Sequence, residues 1–91
     1  MAHTQFLIKG NICHERLRIA RALHKPPLTQ EDLARKMNLM GVGITPLIIS
    51  RIEKNNRHVC DGELLMLAKA LGVSMEWLCG SGDDLSELFE E

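Results

Sequence analysis

The sequence contains no tyrosine, two phenylalanines and one tryptophan among 91 residues. A core built from it must therefore be aliphatic, from Leu, Ile, Val, Met and Ala. Apolar residues make up 45% of the chain, enough for one compact domain and too many for global disorder. No apolar run approaches the ~20 residues that a membrane span needs, which excludes a spanning helix. The start, MAHTQFLIKG, has no basic segment leading into a long apolar one. It does not read as a signal peptide, and a cytoplasmic location is the expectation.

Cysteine is sparse and odd in number: Cys13, Cys60 and Cys79, with no Cys-x-x-Cys. Cys13 and His14 are adjacent, and neighbours on a helix point in different directions. No metal site is expected, and the thiols read as reduced. Catalytic patterns are missing too. His3, His14, His24 and His58 are scattered, and Ser50, Ser74 and Ser81 lie outside any Gly-x-Ser-x-Gly. Gly41-x-Gly43 reads as a turn and not as a phosphate loop. Neither an enzyme nor a cofactor site is expected.

Charge is present but unevenly spread. Residues 1–60 carry ten Lys and Arg against four Asp and Glu; residues 61–91 carry one against eight. The net charge of −1 hides a basic body and an acidic C-terminal part.

Apolar residues recur at helical spacing, and no segment alternates as a strand would. The spacing predicts an all-α, compact five-helix bundle. A first helix covers about residues 11–24, with Ile12, Leu17, Ala20 and Leu23 near one face; Lys25-Pro26-Pro27 ends it. Thr29 caps a second helix, with Asp32 as its capping-box partner, and Leu33, Ala34 and Met37 face inward. Gly41-Val42-Gly43 stops it. Thr45-Pro46 starts a third helix that ends near Asn55. Asp61 is the expected cap of a fourth, with Leu64, Leu65, Leu67, Ala68 and Leu71 inside and Gly72 closing it. Ser74 caps a short fifth helix containing Trp77 and Leu78. After the joint Gly80-Ser81-Gly82, Leu85, Leu88 and Phe89 fit one face of a short C-terminal helix. Residues 1–9 read as an arm, 10–80 as the domain, and 81–91 as an acidic tail or short helix. Two short helices joined by a Gly-containing turn are a helix-turn-helix pattern.

Three blocks in order carry a resemblance: Leu28-Thr29-Gln30-Glu31-Asp32-Leu33-Ala34, then Ile49-Ser50-Arg51-Ile52-Glu53, then LLMLAKALGVSMEWLCG over residues 64–80. With the first helix they cover about residues 10–80. The chain resembles the phage repressor/Cro-like helix-turn-helix family, also called the xenobiotic-response-element family. It departs from the family's pattern in two places. Ala34 to Thr45 is eleven positions, about five more than the family's common form, and Pro26-Pro27 lengthens the first link.

The resemblance implies a lambda-repressor-like DNA-binding domain and a transcriptional regulator, expected to be a repressor from a prophage or mobile element. It further implies double-stranded DNA as partner and a homodimer. Thr29 and Gln30, at the start of the second helix, would meet phosphate. The third helix would lie in the major groove, with its start, Thr45, and then Pro46, Leu47 and Arg51 toward the bases and Ile48 at the edge between groove and core. Leu47 and Ile48 cannot hydrogen-bond to a base but can pack on thymine methyls; Arg51 can reach guanine or phosphate. Lys54, Asn55, Asn56 and Arg57 would hold the DNA backbone. Arg21 and Glu53 would form an ion pair inside the protein. The competing expectation is a protein-interaction module or an antitoxin that keeps the fold, with a regulatory protein as partner. The near-neutral net charge, the apolar start of the third helix and the acidic tail favour it.

Overall fold

The computed structural model describes residues 10–80, and the expectations for the arm 1–9 and for Leu85, Leu88 and Phe89 lie outside the described residues. Five helices follow in order: α1 His14–Leu23, α2 Gln30–Leu39, α3 Pro46–Glu53, α4 Asp61–Leu71 and α5 Met75–Leu78. Among the described residues there is no strand.

Local chemistry sets the helix starts. Thr29 Oγ1 accepts the Asp32 N–H at 2.9 Å while Asp32 Oδ2 accepts the Thr29 N–H at 3.0 Å, a closed capping box. Thr45 Oγ1 accepts the Ile48 N–H at 3.1 Å, and Pro46 fills the first helical position. Ser74 Oγ accepts the Trp77 N–H at 3.0 Å. At α4 the expectation is corrected. Cys60 is the cap, and Asp61 is already helical, bonding the neighbouring Gly62 N–H at 2.7 Å. Glu63 reaches back to the Cys60 N–H at 3.3 Å. The carboxylate at the third helical position thus satisfies the backbone N–H of the cap residue itself.

The ends of α2 and α3 share one device. Past α2, Gly41 takes a φ of +93°, its N–H bonds Asn38 O and the Val42 N–H bonds Met37 O, both at 3.0 Å. Past α3, Asn55 takes a φ of +63°, its N–H bonds Ile52 O at 3.0 Å and the Asn56 N–H bonds Arg51 O at 2.9 Å. A left-handed residue followed by two bonds back to the last turn satisfies the free carbonyls there. The long link between α2 and α3 is then stapled. Asn38 Nδ2 donates to Ala34 O and to Ile44 O, each at 2.7 Å, and Ile44 drops into the core.

The core is aliphatic with a single aromatic ring. Leu17, Leu33, Met37, Ile49, Ile52, Leu67, Leu78 and Trp77 are all fully buried. Helix α2 packs on α3 and α4, and α1 on α3 and α5. Arg16 lies over the Trp77 ring at 4.9 Å and donates to Trp77 O at 2.8 Å, joining α1 to α5.

Three apolar assignments are corrected. Ile12 is 53% exposed, because α1 begins only at His14 and its inner face runs through Cys13, Leu17 and Ala20. Leu23, in the last turn of α1, is 40% exposed. Leu65 is exposed while Leu64 is half-buried: on α4 the inward face is Leu67, Ala68, Ala70 and Leu71, and Leu65 is turned off it. Ala70, not among the expected core residues, is fully buried.

Candidate nucleic-acid interface

Helix α3 has two unlike sides. Ile49 and Ile52 are fully buried and Glu53 is nearly so, whereas Pro46, Leu47 and Arg51 are exposed. Leu47, at 58% exposure, is not covered by the long turn that precedes it; Ile48 and Ser50 are half-buried between the two sides. Helical periodicity over eight residues produces this division, since 49, 52 and 53 fall within one arc.

The inner side is held by charge. Arg21 on α1 grips Glu53 with two bonds, Nε to Oε2 at 2.7 Å and Nη2 to Oε1 at 2.9 Å. Its third nitrogen, Nη1, donates to Leu28 O at 2.9 Å. The same Glu53 Oε1 accepts the Gln30 amide at 3.0 Å. One carboxylate therefore ties α3 both to α1 and to the first residue of α2.

This arrangement changes the chemistry available at Gln30. Its amide nitrogen is directed inward, so the free groups at the start of α2 include its amide oxygen and the backbone N–H groups of Gln30 and Glu31, which favour an anion, while the Asp32 and Leu33 N–H groups bond Thr29. Thr29 is exposed and its hydroxyl oxygen already accepts the Asp32 N–H. The Thr29 backbone and hydroxyl bonds hold the Asp32 carboxyl below its ordinary range, with a smaller contribution from Arg35 at 3.2 Å.

The loop after α3 divides in a similar way. Lys54 and Asn56 are exposed, Asn55 and Arg57 half-buried. The main-chain N–H groups of Lys54, Asn55 and Asn56 all bond back to α3, to Ser50, Ile52 and Arg51. Donors for an outside partner at these three positions are therefore side chains. Arg57 forks onto Glu63 of α4, with both bonds at 3.1 Å, and also donates to His58 O at 3.2 Å. The fork pushes the Glu63 carboxyl below its usual range and the Arg57 guanidinium above its own. Arg57 has its charge balanced inside the protein, unlike the solvent-facing Lys54. Sequence reasoning did not mark Glu63 for this role, although a carboxylate six residues after an arginine is a detectable pair.

Sequence reasoning also missed Asn11. It is 7% exposed and bonds the end of α3 and the loop beyond it, 41 to 46 residues away. No local pattern marks such a contact. Among the described residues no group of His, Cys, Asp and Glu could hold a metal ion, and no helix is long and apolar enough to cross a membrane.

Against known families, the model described as helix-turn-helix matches residues 17–78, from the middle of α1 to the end of α5. No curated protein and no solved structure matches the chain.

Proposed function

We infer that this chain, which belongs to the phage repressor/Cro-like helix-turn-helix family of DNA-binding regulators, is a sequence-specific transcriptional repressor that reads the major groove with α3. The observation that carries this reading is the outward side of α3. Pro46, Leu47 and Arg51 project from a helix whose opposite side is locked by Ile49, Ile52 and the Arg21–Glu53 fork. A rigidly mounted helix of eight residues is the right size to enter a groove ~12 Å wide. Leu47 packs on a thymine methyl and Arg51 takes guanine or phosphate. Thr29, Gln30, Lys54 and Asn56 hold the backbone, with Thr45, Ile48, Asn55 and Arg57 setting the local geometry.

The repressor acts as a homodimer on a two-fold-related site, which places its two reading helices about 34 Å apart. Sedimentation of the full chain, with and without residues 82–91, tests this state and the tail's part in it.

Selection of bound sequences from a random duplex pool, followed by affinity for the selected and random duplexes over a salt series, tests the function. A sequence-specific regulator enriches a common site and prefers it at every salt concentration. A second reading has its own observation. From Leu39 to Ser50 the chain carries no charge, and Leu39 and Leu47 are 84% and 58% exposed on either side of the turn. An apolar edge of that kind suits a protein partner, as in an antitoxin or interaction module. No enrichment and only weak, salt-labile binding would favour that reading.

A further inference from the structure

We propose that Asn11 is a positioning residue for the loop Lys54–Arg57, setting where the loop stands before any partner binds. The inference rests on the DNA-binding reading for its functional consequence, but its geometry is independent of it.

Asn11 precedes α1 and is nearly buried, and every polar group of its side chain is used. The amide nitrogen donates both hydrogens, to Ile52 O at 3.1 Å and to Arg57 O at 2.9 Å. The amide oxygen accepts the Cys13 N–H at 3.0 Å. The Asn11 backbone N–H donates to Asn55 Oδ1 at 2.8 Å. One side chain thus touches the last turn of α3, the far end of the loop and the start of α1. Only a carboxamide offers two donors and an acceptor on one short planar group. Aspartate lacks the donors, and serine is too short to span both carbonyls.

Two further features fit a clamp. Gly10 takes a φ of +104°, and a Cβ there would collide with the backbone carbonyl and side-chain oxygen of Asn55. The close approach of the two chain segments therefore requires glycine at that position. Asn55 itself is left-handed, at φ +63°, where asparagine is among the few residues tolerated. The far side of the loop is held by the Arg57–Glu63 fork. Lys54 and Asn56 consequently project from a loop whose backbone is fixed at the middle and at the end. Fixing it beforehand removes an ordering cost at the moment of binding.

The test compares the full-length wild type with Asn11→Ala and Asn11→Ser. Serine keeps an acceptor for the Cys13 N–H, and hence the start of α1, while its single short hydroxyl cannot make both donations to α3 and the loop. Leu71→Ala, a core cavity on α4, serves as a general destabilisation control. All are measured at a temperature where each is folded. The readouts are amide hydrogen exchange at residues 54–57 in the free protein, and affinity for selected and random duplexes across a salt series. Both Asn11 variants are expected to exchange at least tenfold faster in the loop and to bind both duplexes about tenfold more weakly. The salt slope falls by about one if Lys54 loses its phosphate. Leu71→Ala is expected to change neither slope nor the relative exchange of the loop. Wild-type exchange and wild-type binding in the folded Asn11 variants would overturn the proposal, as would failure of both variants to fold, which would make Asn11 a general stability residue. If the wild type binds no duplex, the functional reading falls and loop exchange alone decides the clamp.

Discussion

Arg21 and Glu53 face each other across the α1–α3 contact as a two-bond fork, at 2.7 and 2.9 Å, with side chains 18% and 6% exposed. Because Leu28 O and the Gln30 amide complete the group, loss of either charge strands several partners. Glu53→Ala is expected to cost about 3 kcal/mol, the low end for a buried pair because Arg21 retains some solvent. Chemical denaturation of Arg21→Ala, Glu53→Ala and the double variant checks it. A coupling energy near zero would show that the fork holds nothing.

The two sides of α3 respond differently to truncation. Ile49→Ala opens a cavity in a fully buried site and is expected to cost ~2–5 kcal/mol of stability. Leu47→Ala, at an exposed position, is expected to leave the melting temperature nearly unchanged. It should weaken binding to the selected duplex by ~1 kcal/mol while sparing random DNA. Arg51→Ala should also leave stability intact and reduce specific binding, with a smaller salt slope if its target is phosphate. If Leu47→Ala melts as early as Ile49→Ala, residue 47 packs in the protein and α3 does not read DNA in the proposed way.

Stability should fall in acid through two capping carboxylates. Glu63 is held below its ordinary 4.5, chiefly by the hydrogen bonds from Arg57, and Asp32 below its ordinary 3.8, chiefly by Thr29. A depressed carboxyl contributes stability that is present above its unfolded value and lost as pH falls through the folded one. The loss therefore sets in below about pH 4.5 and continues into stronger acid. Melting curves for the wild type and Glu63→Gln between pH 6 and pH 3 should converge as pH drops. Parallel curves would mean that the Arg57–Glu63 fork contributes no charge-dependent stability.

The three thiols should separate by reactivity. Cys13 is buried, and burial, with a smaller effect from Cys79, pushes its pKa up to about 11, so thiolate is scarce at neutral pH. Cys60 is exposed and Cys79 intermediate. Mass spectrometry after brief alkylation of the native protein should find Cys60 modified and Cys13 intact until denaturant is added. Early modification of Cys13 would mean that the start of α1 opens readily.

Determination by sequence was strongest where the interaction is local. The caps at Thr29, Thr45 and Ser74 join groups three residues apart, and Pro46 carries its own backbone angle, so residue type and spacing suffice to place three helix starts. The burial of Ile49 and Ile52 beside the exposure of Leu47 follows from the period of a helix whose start is known. One residue of uncertainty in such a start changes which residue caps the helix, as at Cys60 and Asp61, without moving Leu67, Ala68 and Leu71 out of the core. Ile12 shows the related failure at α1: it shares a rough apolar spacing with Leu17, but lies before the first helical turn and stays exposed. Arg21 and Glu53 are 32 residues apart, and only family resemblance suggested that they meet. For Asn11 there was no such guide. Three of its four bonds exist because α1, the end of α3 and the loop to α4 converge there, with Gly10 thin enough to let them close; the fourth, from the Cys13 N–H, is local. Hydrogen bonds between groups more than forty residues apart leave no period in the chain, because their geometry is set by how Leu17, Leu33, Ile49 and Ile52 pack in three dimensions and not by the spacing of residues around either bonded group.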